Sequence, residues 1–201
     1  MNCSYDFVAA SSHATQRMES VTTFESRPLI VPHVKPLKTA DAPAKSQPIL
    51  KAIEEKFGKS MNIFSTAAYQ PDLLGGITQI NDGIRNDLSD KFRELAYLKS
   101  SQINKCDYCS HYHKQAAEKA GINAAQLAAI DSYQNTDAFN DQEKAVLSYA
   151  EQLTTQAQVD KATVSKLKEF LNDKQLVSLA GAVALANFTN RFNHGLDIQL
   201  P

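Results

Sequence analysis

The sequence predicts an all-α fold. From about residue 47 onward, apolar residues recur at helical spacing, and serine, asparagine and glycine stand where helices start and stop. No segment combines period-two alternation with turn glycines. The expectation is a bundle of about seven to eight helices behind a proline-rich extended arm.

Five of the seven prolines (Pro28, Pro32, Pro36, Pro43 and Pro48) crowd one short stretch. Proline sets φ and biases its predecessor away from helix, so 27–46 reads as an extended arm. Residues 1–26 are polar without periodicity and read as a disordered tail. The expected division is therefore a tail and arm at 1–46 and a helical domain at 47–201. The apolar residues Leu29, Ile30, Val31, Val34 and Leu37 suit the arm to lying on the domain or on a neighbouring subunit.

Ile49, Ile53 and Phe57 stand four apart, and Gly58 stops that first helix. Pro71 suits the first turn of a second helix running towards Gly83. Ser89 is an N-cap for a third, which carries Phe92, Leu95 and Leu98. A fourth covers about 107–120 and is closed by Gly121. Asn123 with Gln126, Asn140 with Glu143 and Asn172 with Gln175 each read as a capping box opening a further helix. One apolar stripe runs Ala145, Val146, Tyr149, Ala150, Leu153, and another runs Val164, Leu167, Phe170, Leu171. The last helix, from Leu176 to about Asn193, is rich in small residues that permit close packing.

Composition narrows the function classes. A formal net charge of −1 offers no basic footprint for nucleic acid or an anionic membrane. No apolar run approaches the roughly 18 residues of a membrane span. Phe7-Val8-Ala9-Ala10 is too short for a secretory core and follows no positive region, so the expected location is the cytoplasm. In that reducing compartment paired cysteines point to redox or metal chemistry rather than to a structural disulfide.

Such a pair exists. Cys106-Asp107-Tyr108-Cys109 precedes His113, while the third cysteine, Cys3, stands alone in the tail. At about 100° per residue, Cys106, Cys109 and His113 share one helical face, which brings the imidazole within reach of the Cys109 sulfur. A helix N-terminus and a neighbouring base both favour thiolate, and a second thiol can resolve an oxidised first one as a disulfide. Two other readings stay open: a zinc site using Cys106, Cys109, His111 and His113, and two core cysteines beside a core histidine. Zinc is opposed by His111, which lies about 200° around the helix from Cys109. Haem attachment is excluded, because Ser110 follows the second cysteine where histidine is needed. Glu94, on the preceding helix, faces the dithiol if Ile103-Asn104-Lys105 forms a turn; a carboxylate there would orient His113.

Glu94, Cys106-x-x-Cys109 and His113, followed by an alanine-rich helix and Gly121, resemble the AhpD-like alkylhydroperoxidases of the carboxymuconolactone decarboxylase superfamily. The segment ELAYLKSSQINKCDYCSHYHKQAAEKAGI carries the likeness, and NFTNRFNHGLDIQLP echoes it more weakly. The resemblance implies an AhpD-like helical bundle, homo-oligomers such as trimers or hexamers, and thiol chemistry without cofactor, haem or metal. Residue by residue, it implies that Cys109 meets the hydroperoxide, Cys106 resolves, and His113 with Glu94 relays protons. It departs from the best-known members at Tyr108, where they place a histidine between the cysteines. The decarboxylase branch usually lacks the CxxC pair, which turns the reading away from decarboxylation.

The expected function is therefore a thiol-dependent peroxidase or disulfide oxidoreductase acting on organic hydroperoxides or protein disulfides. An external dithiol, a lipoyl protein or a thioredoxin-like protein, resets the pair, and neither nucleic acid nor membrane is a partner. The alternative is a redox-sensing or partner-binding protein of the same fold with little turnover.

Overall fold

The computed structural model describes residues 31–201; the expected tail, Cys3, Leu29 and Ile30 lie outside them. Among the described residues there are nine α-helices, two 3-10 turns and no strand. The fold is all-α, as expected.

The described part of the arm lies along the helical body. The His33 N–H donates to Leu196 O at 3.0 Å and the Leu37 N–H to Ser65 O at 3.2 Å. Thr39–Asp41 forms a 3-10 turn, and Ser46, fully buried, donates its hydroxyl to Ala68 O at 2.8 Å.

The helices are α1 (Gln47–Phe57), α2 (Asn62–Ala67), α3 (Pro71–Arg85), α4 (Asp90–Ile103) and α5 (Asp107–Lys119). They continue as α6 (Ala124–Ala129), α7 (Asp141–Gln156), α8 (Lys161–Lys168) and α9 (Asp173–Leu196). Their ends follow local chemistry. Gly58 and Gly121 take φ of 69° and 84°, the left-handed conformation that glycine adopts without a Cβ penalty. All three expected capping boxes form, opening α6, α7 and α9. The Ser89 Oγ accepts the Phe92 N–H at 3.3 Å. Helix α9 spans 24 residues, longer at both ends than the apolar pattern indicates, because its polar first turn is held by the Asn172 cap.

Helix α2 is the element that the sequence pattern does not reveal. It has six residues and no side-chain cap. A helix that short does not persist on propensity alone. It is held by burial of Met61, Ile63 and Ala67, and by Tyr108 of α5, whose hydroxyl accepts the Ile63 N–H at 3.1 Å.

Helix α4 is the hub, packed against α5, α7 and α9. Every residue from Arg93 to Ser101 is buried, including the charged Arg93, Glu94 and Lys99. Each fully buried apolar side chain there, such as Leu95, contributes about 1.5–3 kcal/mol. Helix α9 approaches α3 closely at Gly181, where a Cβ would meet Ile84 Cγ1 at 3.3 Å.

Candidate active site

The corner between α4 and α5 builds the site. Lys105 takes φ of 55°, closing α4 so that the Cys106 N–H reaches back to Ser101 O at 2.9 Å. That reversal sends α5 back along α4 and makes Cys106 the N-cap residue of α5. Its sulfur accepts the Cys109 N–H at 3.3 Å, satisfying a helix donor that otherwise lacks a partner.

The two sulfurs lie 2.6 Å apart, both cysteines are free, and both are buried. A disulfide, at about 2.05 Å, needs only a small rotation from this geometry. The thiols are electrostatically unequal. The hydrogen bond from Cys109 Sγ is the main cause that lowers Cys106; burial opposes it, while the Cys109 N–H and the Asn193 amide assist, bringing Cys106 to about 6. The same hydrogen bond, together with burial, pushes Cys109 up. The N-cap hydrogen bonds therefore favour the charge on Cys106 and the shared proton on Cys109.

A buried charged chain adjoins the pair. Glu94, 2 % exposed, bonds His113 Nδ1 at 2.7 Å through Oε2 and accepts from Arg93 Nε and Nη2 at 3.0 and 2.9 Å through Oε1. Burial works against its charge, but the His113 hydrogen bond and the His113 and Arg93 charges prevail and hold the carboxyl below its usual range. The His113 ring stacks on Tyr97 with centroids 3.5 Å apart, and Tyr97 shares a hydrogen bond with Thr189 of α9.

Helix α9 supplies the remaining polar contact. Asn193 Nδ2 donates to Cys109 Sγ at 3.1 Å and lies 3.8 Å from Cys106 Sγ. Its Oδ1 is buried without a hydrogen-bond partner, as is the Tyr112 hydroxyl. Both residues line a cleft of about 820 Å³ whose wall also includes Cys109, His113, Glu94 and Tyr97. Cys109 lines this cleft and Cys106 does not. Position and charge thus divide between the sulfurs: the one on the cleft wall favours the proton, and the inner one favours the charge.

All four residues singled out in the sequence meet in this corner. The contact between them differs in one respect from the expected i,i+4 reach. Among the described residues no hydrogen bond joins His113 to either sulfur, because Glu94 and Tyr97 hold the ring in place on the same cleft wall. His111 lies on the exposed side of α5, bonded to Gln115 at 3.0 Å. Tyr108, between the cysteines, is a buried anchor for α2, and burial pushes its phenol up. Sequence reasoning did not single out Arg93, Tyr97, Tyr112 or Asn193. For Asn193 the closing segment NFTNRFNHGLDIQLP was the available signal.

Comparison with known proteins fits this picture. Residues 71–152 match the carboxymuconolactone decarboxylase family, a segment holding both cysteines, Glu94 and His113. The uncharacterized protein YnjA of Escherichia coli is 28% identical over 116 residues, 57% of this chain and 63% of the relative's own length. Among solved structures, the debrominase Bmp8 in complex with 2,3,4-tribromopyrrole superposes with a TM-score of 0.72 at 24% identity, covering 84% of this chain and 91% of that one. The alkylhydroperoxidase AhpD core of an uncharacterized peroxidase-related protein from Ralstonia eutropha gives 0.73 at 22%, covering 88% and 94%. These likenesses establish a shared fold.

Proposed function

We propose that the chain is an AhpD-like member of the carboxymuconolactone decarboxylase superfamily and a thiol-dependent peroxidase acting on organic hydroperoxides; the family match over residues 71–152 and the shared fold support this. The observation that carries this reading is the sulfur pair 2.6 Å apart, with Cys109 on the cleft wall beside the His113–Glu94 pair.

The chemistry follows from where proton and charge rest. As Cys109 attacks the terminal oxygen of the hydroperoxide, its proton passes to Cys106 across the short sulfur–sulfur contact. The O–O bond breaks, Cys109 becomes a sulfenic acid, and the alkoxide takes a proton delivered by His113 and replaced from solvent. Cys106 then attacks the sulfenic sulfur. Its proton leaves with the displaced hydroxide as water, and a Cys106–Cys109 disulfide remains. An external dithiol, a lipoyl or thioredoxin-like protein, supplies two electrons and two protons; one proton stays on the restored pair and the other returns to solvent. We also propose that the chain works as a homo-oligomer.

Turnover of hydroperoxide by the reduced protein, with a panel of dithiol donors, tests the reading. A brominated pyrrole belongs in the same panel because the debrominase Bmp8 shares the fold. One burial observation favours a second reading: Cys106 and Cys109 are only 2 % and 4 % exposed, which restricts a protein donor. A redox sensor oxidises about once per site, whereas a peroxidase turns over many times.

A further inference from the structure

The charges around the cleft do not balance. Its wall holds three carboxylates, and each has a cationic or imidazole partner: Asp82 with Lys56 at 3.6 Å, Asp90 with Arg93, and Glu94 with Arg93 and His113. Three further cations line the same cleft, Lys59, Arg85 and Lys119, and no carboxylate lies within 4.0 Å of them among the described residues. The charge of Arg85 reaches Asp90, but Asp90 is already held by Arg93. This local excess sits on a chain whose formal net charge is −1.

The same cleft is also apolar. Ile53, Phe64, Ile77, Ile84 and Leu185 line it together with Cys109. Tyr112 lines the same cleft; Lys59 Nζ lies over its ring at 4.8 Å, and its hydroxyl is buried without a hydrogen-bond partner. The Lys59 ammonium over the ring and the phenol hydroxyl at its tip offer donors to an anionic head group, which is stabilised by charge-assisted hydrogen bonds. A buried donor without a partner costs free energy until something accepts from it.

We propose that the substrate of this cleft is an amphipathic organic anion, with an apolar body against the Ile and Phe walls and a carboxylate or phosphate head at Tyr112, Lys59, Arg85 and Lys119. The inference rests on the peroxidase reading and narrows its hydroperoxide to an acid-bearing one. Lys59, Arg85 and Lys119 are exposed and set the preference; Cys109 carries out the same chemistry whatever the head group.

Protection of Cys109 from alkylation in the reduced full-length protein tests this. The probes are decanoate, decyl phosphate, decan-1-ol and decylammonium, each below the concentration at which it self-associates. Decanoate and decyl phosphate are expected to protect at about tenfold lower concentration than decan-1-ol, and decylammonium more weakly than any. Protection by decyl phosphate alone, or by decanoate alone, assigns the head group within the proposed class. The double variant Lys59→Glu/Arg85→Glu is expected to erase the anion preference while decan-1-ol still protects. Equal protection by decan-1-ol and both anions, or stronger protection by decylammonium, overturns the substrate class. Disulfide formation with the neutral cumene hydroperoxide is measured alongside. If that oxidation proceeds while the anions show no preference, the peroxidase reading stands and this inference falls; if it fails, the peroxidase reading itself falls.

Discussion

The Asn193 carboxamide donates to Cys109 Sγ at 3.1 Å while its own oxygen, buried in the cleft wall, has no partner. The amide thus sets one side of the reactive sulfur pair from a different helix. The same amide lies 3.8 Å from Cys106 Sγ and assists in lowering that thiol, after the Cys109 hydrogen bonds. Asn193→Ala is therefore expected to raise the Cys106 thiol modestly. The pH dependence of alkylation in a Cys109→Ser background, compared with Cys109→Ser alone, measures it. An unchanged profile would show that the amide only packs.

The two sulfurs should fail differently. Cys109→Ser is expected to abolish peroxide turnover, because it removes the sulfur on the cleft wall. Cys106→Ser is expected to allow one oxidation and to trap Cys109 as a sulfenic acid. Dimedone labelling of each single-cysteine variant reads this directly. Label on Cys106 in Cys109→Ser, with none on Cys109 in Cys106→Ser, would assign the attack to the inner thiolate.

Stability of the reduced protein should depend on pH through the two thiols. In the unfolded chain both thiols titrate near 8.5, at about the usual cysteine value. Folded, Cys106 sits at about 6 and Cys109 is pushed up. Between those pH values the unfolded state binds one more proton, so stability of the reduced protein rises with pH. Above about 8.5 the folded state keeps the Cys109 proton that the unfolded state loses, and stability falls again. Denaturant titrations of the reduced protein should therefore show a maximum near pH 8.5, with a rise of roughly 1–3 kcal/mol from pH 6. The Cys106→Ser variant should lose the rising limb. A reduced protein with no such rise would contradict the thiolate assignment.

Glu94→Gln removes the carboxylate that Arg93 and His113 share, leaving a guanidinium 5 % exposed with Asp90 as its remaining acid. Breaking a buried ion pair costs about 3–5 kcal/mol, and the Asp90 contact moves the expectation to roughly the lower end. Thermal unfolding checks the loss. Peroxide turnover measured well below the new Tm should fall as well, with a shifted pH–rate profile; Glu94→Asp should restore part of both. Full turnover in Glu94→Gln would remove the carboxylate from the relay.

Self-association should involve the outer face of α9. Val177 and Phe188, 72 % and 41 % exposed, stand eleven residues apart with Ala184 between them, about three turns along one stripe. Light scattering at micromolar concentration is expected to give a mass above the 22.1 kDa of one chain, and Val177→Glu with Phe188→Glu to reduce it. A monomer for the unmodified chain would overturn the oligomer proposal.

The sequence by itself determined what local chemistry encodes. Three capping boxes, the Ser89 cap, the Pro71 start and the glycine stops are each settled within about one turn of chain, and each is present where its residues indicate. The dithiol was legible for the same reason: Cys106 and Cys109 meet across a single helix start. Glu94 stood at the edge of that range, reachable because one tight turn at Lys105 folds α5 onto α4. Tertiary structure alone decided the rest. Asn193 lies 84 residues beyond the sulfur it contacts, Thr189 lies 92 beyond Tyr97, and α2 exists because Tyr108, 45 residues onward, holds it. Periodicity marks which face of a helix is buried, but not which distant side chain it meets. The polarity of the sulfurs, the orphaned amide and phenol, and the cationic cleft therefore arise only when α3, α4, α5 and α9 pack together.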